Sequence, residues 1–182
     1  MRKILLDSAS KPAGEHSYQV PWAFDAHAYN MDNTLPDITI NVTEGDWKTA
    51  IGKMDEVESL YIKTDLAPED YNMIGLMTNL RALYIYTAKQ LKDISFISNL
   101  SDLREMAIFN SRVEDVSPIA QVRKKQNGDC VWQKLSLVAF IKSNISDLSP
   151  LKDDTRFSEF RLIQCKVPYD DEIYMRLNPY RR

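Results

Sequence analysis

The sequence is short of the residues from which phosphate loops, metal centres and disulfide frameworks are built. Of its 182 residues, 5 are glycine, 2 cysteine and 2 histidine. So few glycines leave no Gly-rich phosphate loop, and neither GxSxG nor HExxH occurs. Cys130 and Cys165 match no CxxC or metal-ligand spacing, and two cysteines make no disulfide framework, which points to a reducing compartment. An excess of one charge sign is missing too. The 23 basic and 26 acidic residues give a net charge of −3, so no basic field draws the chain to nucleic acid or anionic lipid. The densest basic run, Arg123-Lys124-Lys125, continues into Gln126-Asn127-Gly128-Asp129 and reads as a solvated loop. Long apolar runs are also absent. Ile4-Leu5-Leu6 stops at Asp7, too short for a signal peptide, and no later run approaches a membrane span. The expectation is a cytoplasmic chain with neither nucleic-acid nor membrane partners, in which the sequons at Asn41, Asn99 and Asn144 stay unmodified.

What is present is a repeat. Asp93-Ile-Ser-Phe-Ile, Asp115-Val-Ser-Pro-Ile and Asp147-Leu-Ser-Pro-Leu share one grammar, and each follows a six-residue unit that is apolar at its first, fourth and sixth places. Such units start at Leu35, Val57, Leu80, Leu103, Trp132 and Phe157, with spacings of 22, 23, 23, 29 and 25 residues. The fourth and sixth places of a strand share one face. That face reads Ile38/Ile40, Leu60/Ile62, Leu83/Ile85, Met106/Ile108, Leu135/Leu137 and Phe160/Leu162. One such strand cannot bury its face alone, whereas six stacked in parallel form a continuous core. Ser117-Pro118 and Ser149-Pro150 then place a capping hydroxyl before a proline at the first helical position, with the preceding Asp as a second capping group. The earlier return segments look more helical: Trp47, Ile51 and Met54 form one stripe, and Met73 with Leu76 or Met77 another.

The unit resembles a leucine-rich repeat of the short internalin-like class, most closely in "NISDLSPL" at 144–151. The resemblance runs from about residue 35 to 182 and implies an α/β solenoid of about six units, with a parallel sheet on the concave face and short helices or turns on the convex face. Cys165 and Val167, and Ser111 and Val113, stand at the ninth and eleventh places of their copies. Ala88 and Phe140 at the ninth place interrupt the family's ladder of polar side chains, and the copy from Leu103 carries an insertion around Arg123 to Val131. Residues 1–34 do not repeat, and Tyr18, Trp22, Phe24 and Tyr29 suit a cap over the open core end. An Asp-started helix in "YDDEIYMRLNPY" closes the other end, with Ile173, Met175 and Leu177 as its apolar contacts.

No catalytic constellation emerges. Glu15, His16, Asp25 and His27 are neighbouring acids and imidazoles in the expected cap, and Cys165 reads as an inert buried thiol. The expectation is a chain without cofactor, metal or enzymatic activity. The informative residues alternate outward on the strands: Tyr61, Lys63, Tyr84, Tyr86, Phe109, Val138, Arg161 and Ile163. Such a face would be exposed unless a neighbouring segment covered it, and an exposed aromatic patch indicates an interface. The resemblance implies protein–protein recognition in general. The reading is binding of an unidentified protein through the concave face by a monomer or weak homo-oligomer. The alternatives are a neutraliser of a toxin or enzyme and an enzyme using the cap histidines.

Overall fold

Alternating apolar places become strands because β-branched and aromatic side chains pack well on a pleated surface that is buried. A computed structural model describes residues 39–42, 51–52, 54–122 and 135–178. The expected cap (residues 1–34, with His16 and His27), Trp47 and the insertion with its basic run and Cys130 lie outside them. Six strands form one sheet in chain order: β1 (Thr39–Val42), β2 (Ser59–Ile62), β3 (Ala82–Ile85), β4 (Glu105–Phe109), β5 (Leu135–Ile141) and β6 (Phe157–Ile163). Every neighbouring pair is parallel, so each strand-to-strand connection returns the chain to the same end of the sheet. Between strands lie α1 (Pro68–Ile74), a 3₁₀ turn (Ser95–Asn99), α2 (Ser117–Gln121) and a second 3₁₀ turn (Ser149–Leu151). After β6 comes α3 (Glu172–Leu177). Stacked repeats, parallel strands and short return helices make this an α/β leucine-rich-repeat solenoid, as the repeat implied.

The inner face faces these return segments. Its ten side chains on β2–β6, from Leu60 to Leu162, are at most 4% exposed, so one core runs through the stack. Burying each stabilises the fold by about 1.5–3 kcal/mol. Two registers differ from the sequence reading. Ile40 and Val42 lie opposite Leu60 and Ile62, a slip of two that leaves the expected faces unchanged. In the fifth copy the slip is three: Val138 and Phe140, not Leu135 and Leu137, lie opposite Met106 and Ile108. An odd slip exchanges faces, so Val138 belongs to the inner core and is no surface residue. The copy starts at Leu135, and its spacings to 103 and 157 are 32 and 22 residues.

The Asp-x-Ser grammar has a defined geometry. One carboxylate oxygen of Asp93, Asp115 and Asp147 accepts the backbone N–H of Ser95, Ser117 and Ser149 at 2.7, 2.7 and 2.8 Å. The other accepts the same serine's hydroxyl at 2.9, 2.8 and 2.8 Å. The Asp therefore does the capping, and the Ser hydroxyl is held by it instead of capping the helix itself. Two hydrogen bonds to Asp147 hold its carboxyl below the usual carboxylate range.

The ninth places form a mixed polar ladder. Asp65 accepts from the Gln90 N–H (3.2 Å) and the Tyr71 hydroxyl (3.0 Å), and Ser111 and Ser143 share a 2.7 Å hydrogen bond. The start at Leu135 puts Ser143, not Phe140, at this place. The Cys165 thiol reaches the Phe140 carbonyl at 3.5 Å, and burial pushes its pKa up, against thiolate formation. Asn110, Lys142 and Gln164, directly after β4, β5 and β6, each take φ of 56° to turn out of the strand.

Two devices fasten the far end. Arg156 donates to the carbonyls of Val122 (2.6 Å) and Ile119 (2.8 Å) and to Asp154 (2.5 and 2.9 Å), with both charged side chains under 10% exposed. This ties the loop before β6 to the end of α2. At α3, Asp171 accepts the N–H groups of Ile173 and Tyr174, as an Asp-started helix requires. Tyr174 and Leu177 are buried and Ile173 partly so, but Met175 is 48% exposed and is not one of the expected contacts. The Tyr174 hydroxyl accepts from Leu162 N–H (3.2 Å) and donates to its carbonyl (3.4 Å). The side-chain amide oxygen of Asn178 accepts from Phe160 N–H (3.2 Å). These backbone groups lie on the side of β6 away from β5, so side chains seal the sheet edge.

Candidate functional site

The register arranges the sheet face turned away from the helices into three columns. The third places read Ser59, Ala82, Glu105, Leu137 and Glu159, and the fifth read Tyr61, Tyr84, Ala107, Ala139 and Arg161. Across β4, β5 and β6 the seventh places are Phe109, Ile141 and Ile163, with Tyr86 stacked on Phe109 and Lys63 following β2. Every expected interface residue except Val138 stands on this face. Sequence reading missed Glu105, Leu137, Ala139 and Ile141. A signal for the last three existed: the 12-residue step from Leu103 to Asp115 recurs from Leu135 to Asp147.

Aromatic rings organise the β2–β4 half. Tyr61 and Tyr84 stack with centroids 4.9 Å apart and planes 3° from parallel, and Tyr86 stacks on Phe109 at 5.3 Å and 19°. Offset stacking of this kind adds about 0.5–1.5 kcal/mol per pair beyond area burial. Small side chains lie beside the large ones, and Ala82, Tyr84, Ala107, Phe109, Leu137, Ala139 and Ile141 form a second apolar cluster. Its middle is buried, with Tyr84 only 1% and Phe109 8% exposed. Apart from Glu105 at the third place of β4, the sheet is thus apolar on both faces through β3–β5, as parallel sheets buried on both sides are. Accessible surface belongs to the flanks: Lys63 is exposed, while Tyr61, Tyr86, Glu105, Arg161 and Ile163 are half-buried.

The polar groups are few. The Tyr84 hydroxyl donates to Glu105 Oε2 at 2.7 Å, and Glu159 pairs with Arg161 on the last strand. Burial, then the Tyr86 and Glu105 charges, push the Tyr61 phenol up to about 12. Burial, followed by the Glu105 hydrogen bond and charge, raises Tyr84 further, and burial raises Tyr86. The phenols therefore stay neutral donors across the physiological range. No group of three or more His, Cys, Asp or Glu side chains that could hold a metal occurs among the described residues. No helix among the described residues is long and apolar enough to cross a membrane.

The fold is that of a leucine-rich-repeat solenoid. Among solved structures it is similar to the internalin inlF of Listeria monocytogenes, at 29% identity and TM-score 0.43, over 59% of this chain and 28% of that one. It is also similar to internalin C2 (inlC2) of the same organism, at 24% identity and TM-score 0.48, over 69% of this chain and 47% of that one. The chain thus matches less than half the length of either protein. No family model and no curated protein matches it.

Proposed function

We propose that this chain is a non-enzymatic protein-recognition module that takes a protein partner on the sheet face turned away from the helices. The carrying observation is the apolar seventh-place row of Tyr86, Phe109, Ile141 and Ile163, flanked by Lys63 and by the Glu159–Arg161 pair. Aromatic and apolar anchors inside a charged rim are the composition of protein-binding hot spots. The buried rings of Tyr84 and Phe109 fix the half-exposed Tyr61 and Tyr86 in place by stacking, which lowers the entropy lost when a partner docks. The partner contacts are Tyr61, Lys63, Tyr86, Arg161 and Ile163, with Tyr84 and Phe109 as the platform beneath them.

Burial decides the test. Truncating Phe109 to alanine costs about 3–5 kcal/mol in a packed site, so loss of binding would be confounded with unfolding. Lys63→Glu combined with Tyr86→Ala, and separately Ile163→Asp, act on the flanks. Native affinity capture beside the wild type should show one protein retained by wild type and held at least tenfold more weakly by both folded variants. Unchanged retention of every captured protein by both variants would end this reading.

A further inference from the structure

The outer face is too well buried for a sheet with nothing above it. The seven side chains of its cluster, from Ala82 to Ile141, are at most 8% exposed. Side chains on one face of a sheet stand side by side at strand spacing, and their tips meet solvent unless a second layer lies about 10 Å above. Tyr84 shows this best. One face of its ring lies on Tyr61, but the other overlooks Ala107, whose methyl group is too short to cover it, and Tyr84 is still only 1% exposed. Ser59 is equally buried beside the short Ala82. Tyr84, Phe109 and Arg161 each make further interactions beyond those named above. No helix or turn among the described residues supplies the second layer. Tyr71, Ile74, Phe96, Ile119, Leu151 and Tyr174 all belong to the inner core, and the outer cluster draws only on strands and Tyr86.

The cover therefore comes from elsewhere in the chain, and three stretches fit it poorly. Residues 43–50 join β1 to Ile51, which packs on the inner core. Residues 179–182 follow α3 beside β6, where outer burial gives out and Glu159, Arg161 and Ile163 are only half-buried. Residues 123–134, "RKKQNGDCVWQK", carry five charges, which are costly to lay on an apolar surface. The stretch from Tyr18 to Met31 is different. It carries one formal charge, on Asp25, and offers Tyr18, Val20, Trp22, Phe24 and Tyr29 as apolar contacts. It also reaches the face from the correct edge. From β1 to β4 is roughly 14 Å at about 4.8 Å per strand, which about five extended residues span. Tyr29 precedes Thr39, the start of β1, by ten residues. We infer that residues 1–34 dock on the outer sheet face, their aromatic stretch over Tyr84 and Phe109, and that a protein partner binds by displacing them. The displacement rests on the binding role proposed above; the docking does not. The site is then self-covered: its half-buried flanks offer first contact, and the aromatic platform opens only when the cover leaves.

Hydroxyl-radical footprinting of the full chain reads the cover directly. In the wild type, Tyr84 and Phe109 should be oxidised as slowly as Tyr71 of the inner core. Trp22→Ser combined with Phe24→Ser should raise oxidation of Tyr84 and Phe109 at least fivefold and leave Tyr71 unchanged. Equal oxidation of Tyr84 and Phe109 in the two proteins would overturn the inference. An unfolded variant would expose Tyr71 as well, so a second measurement keeps the cover intact. A full chain with p-benzoylphenylalanine in place of Tyr86, irradiated at low concentration, should cross-link within one molecule to residues 1–34. Cross-links confined to residues 123–134, or none within the molecule, would overturn the docking. The binding role fails in a different way. If the double variant opens the face yet captures no protein at least tenfold more tightly than the wild type, the docking stands and displacement by a partner falls.

Discussion

Arg156 offers the sharpest test of how the solenoid is held together. Its guanidinium donates to two carbonyls at the end of α2 and to Asp154, in a setting where the two charged side chains are only 9% and 7% exposed. Arg156→Ala strands the Asp154 carboxylate with the backbone N–H of residue 156 as its remaining described donor. It also takes the side-chain donor from the Val122 carbonyl. Breaking a buried pair by removing one partner costs about 3–5 kcal/mol, against a total stability on the order of 5–15 kcal/mol. With a urea slope of about 1–3 kcal/mol/M, the midpoint should fall by roughly 1–5 M. Arg156→Lys keeps the charge but not the planar fork and should lose about 1–3 kcal/mol. Adding Asp154→Asn to Arg156→Ala removes the stranded charge and should restore about 1–3 kcal/mol. Equilibrium urea unfolding of the four proteins measures all of this. The reasoning fails if Arg156→Ala loses less than about 1 kcal/mol, or if the double variant is no better than the single one.

Two other expectations concern the tyrosines and the turns. Tyr61, Tyr71, Tyr84 and Tyr86 all have pKa values raised in the folded chain, mainly by burial. Their neutral forms stabilise the fold fully below pH 10, and that contribution is lost as pH rises through 10 to about 12 and beyond. Ultraviolet titration should show these phenols ionising late and together with unfolding, and a simple titration of all nine tyrosines near pH 10 would contradict the burial. Lys142 takes a left-handed φ of 56°, so Lys142→Gly should leave stability unchanged or raise it by up to about 1 kcal/mol. Lys142→Ile, β-branched at the same φ, should lower it by about 1–2 kcal/mol, and thermal melts of the two variants settle the sign.

The period of the repeat was legible because apolar spacing reports which side chains a strand turns inward. Register was harder. The first copy slips by two residues, which parity forgives, so the expected division into faces survives. In the fifth, Leu135–Ile141 is apolar at six of seven positions because both faces of β5 are buried, and alternation then cannot say which set faces the helices. Val138 was misplaced for that reason. The capping at Asp93, Asp115 and Asp147 was half legible: the sequence marked the Asp as a capping group, but it also gave that role to the serine hydroxyl, which the Asp in fact holds. Glu105 was invisible for a different reason. Its surroundings come from the two adjacent strands, and nothing local to "LREMAI" reports that Ala82 and Leu137 flank it.

The seal that Tyr174 and Asn178 place on β6 gives the sheet a direction of growth. Lengthening such a protein by duplicating its unit would require inserting the copy ahead of β6, where both neighbours present open strand edges while the new unit is accommodated. A unit spliced in after α3 would meet backbone groups already bonded to side chains, and would have to displace a tyrosine hydroxyl and an asparagine amide before its first strand could pair. The same asymmetry would guide an engineer extending the sheet: new strands belong in the interior of the stack, and α3 travels with the last one.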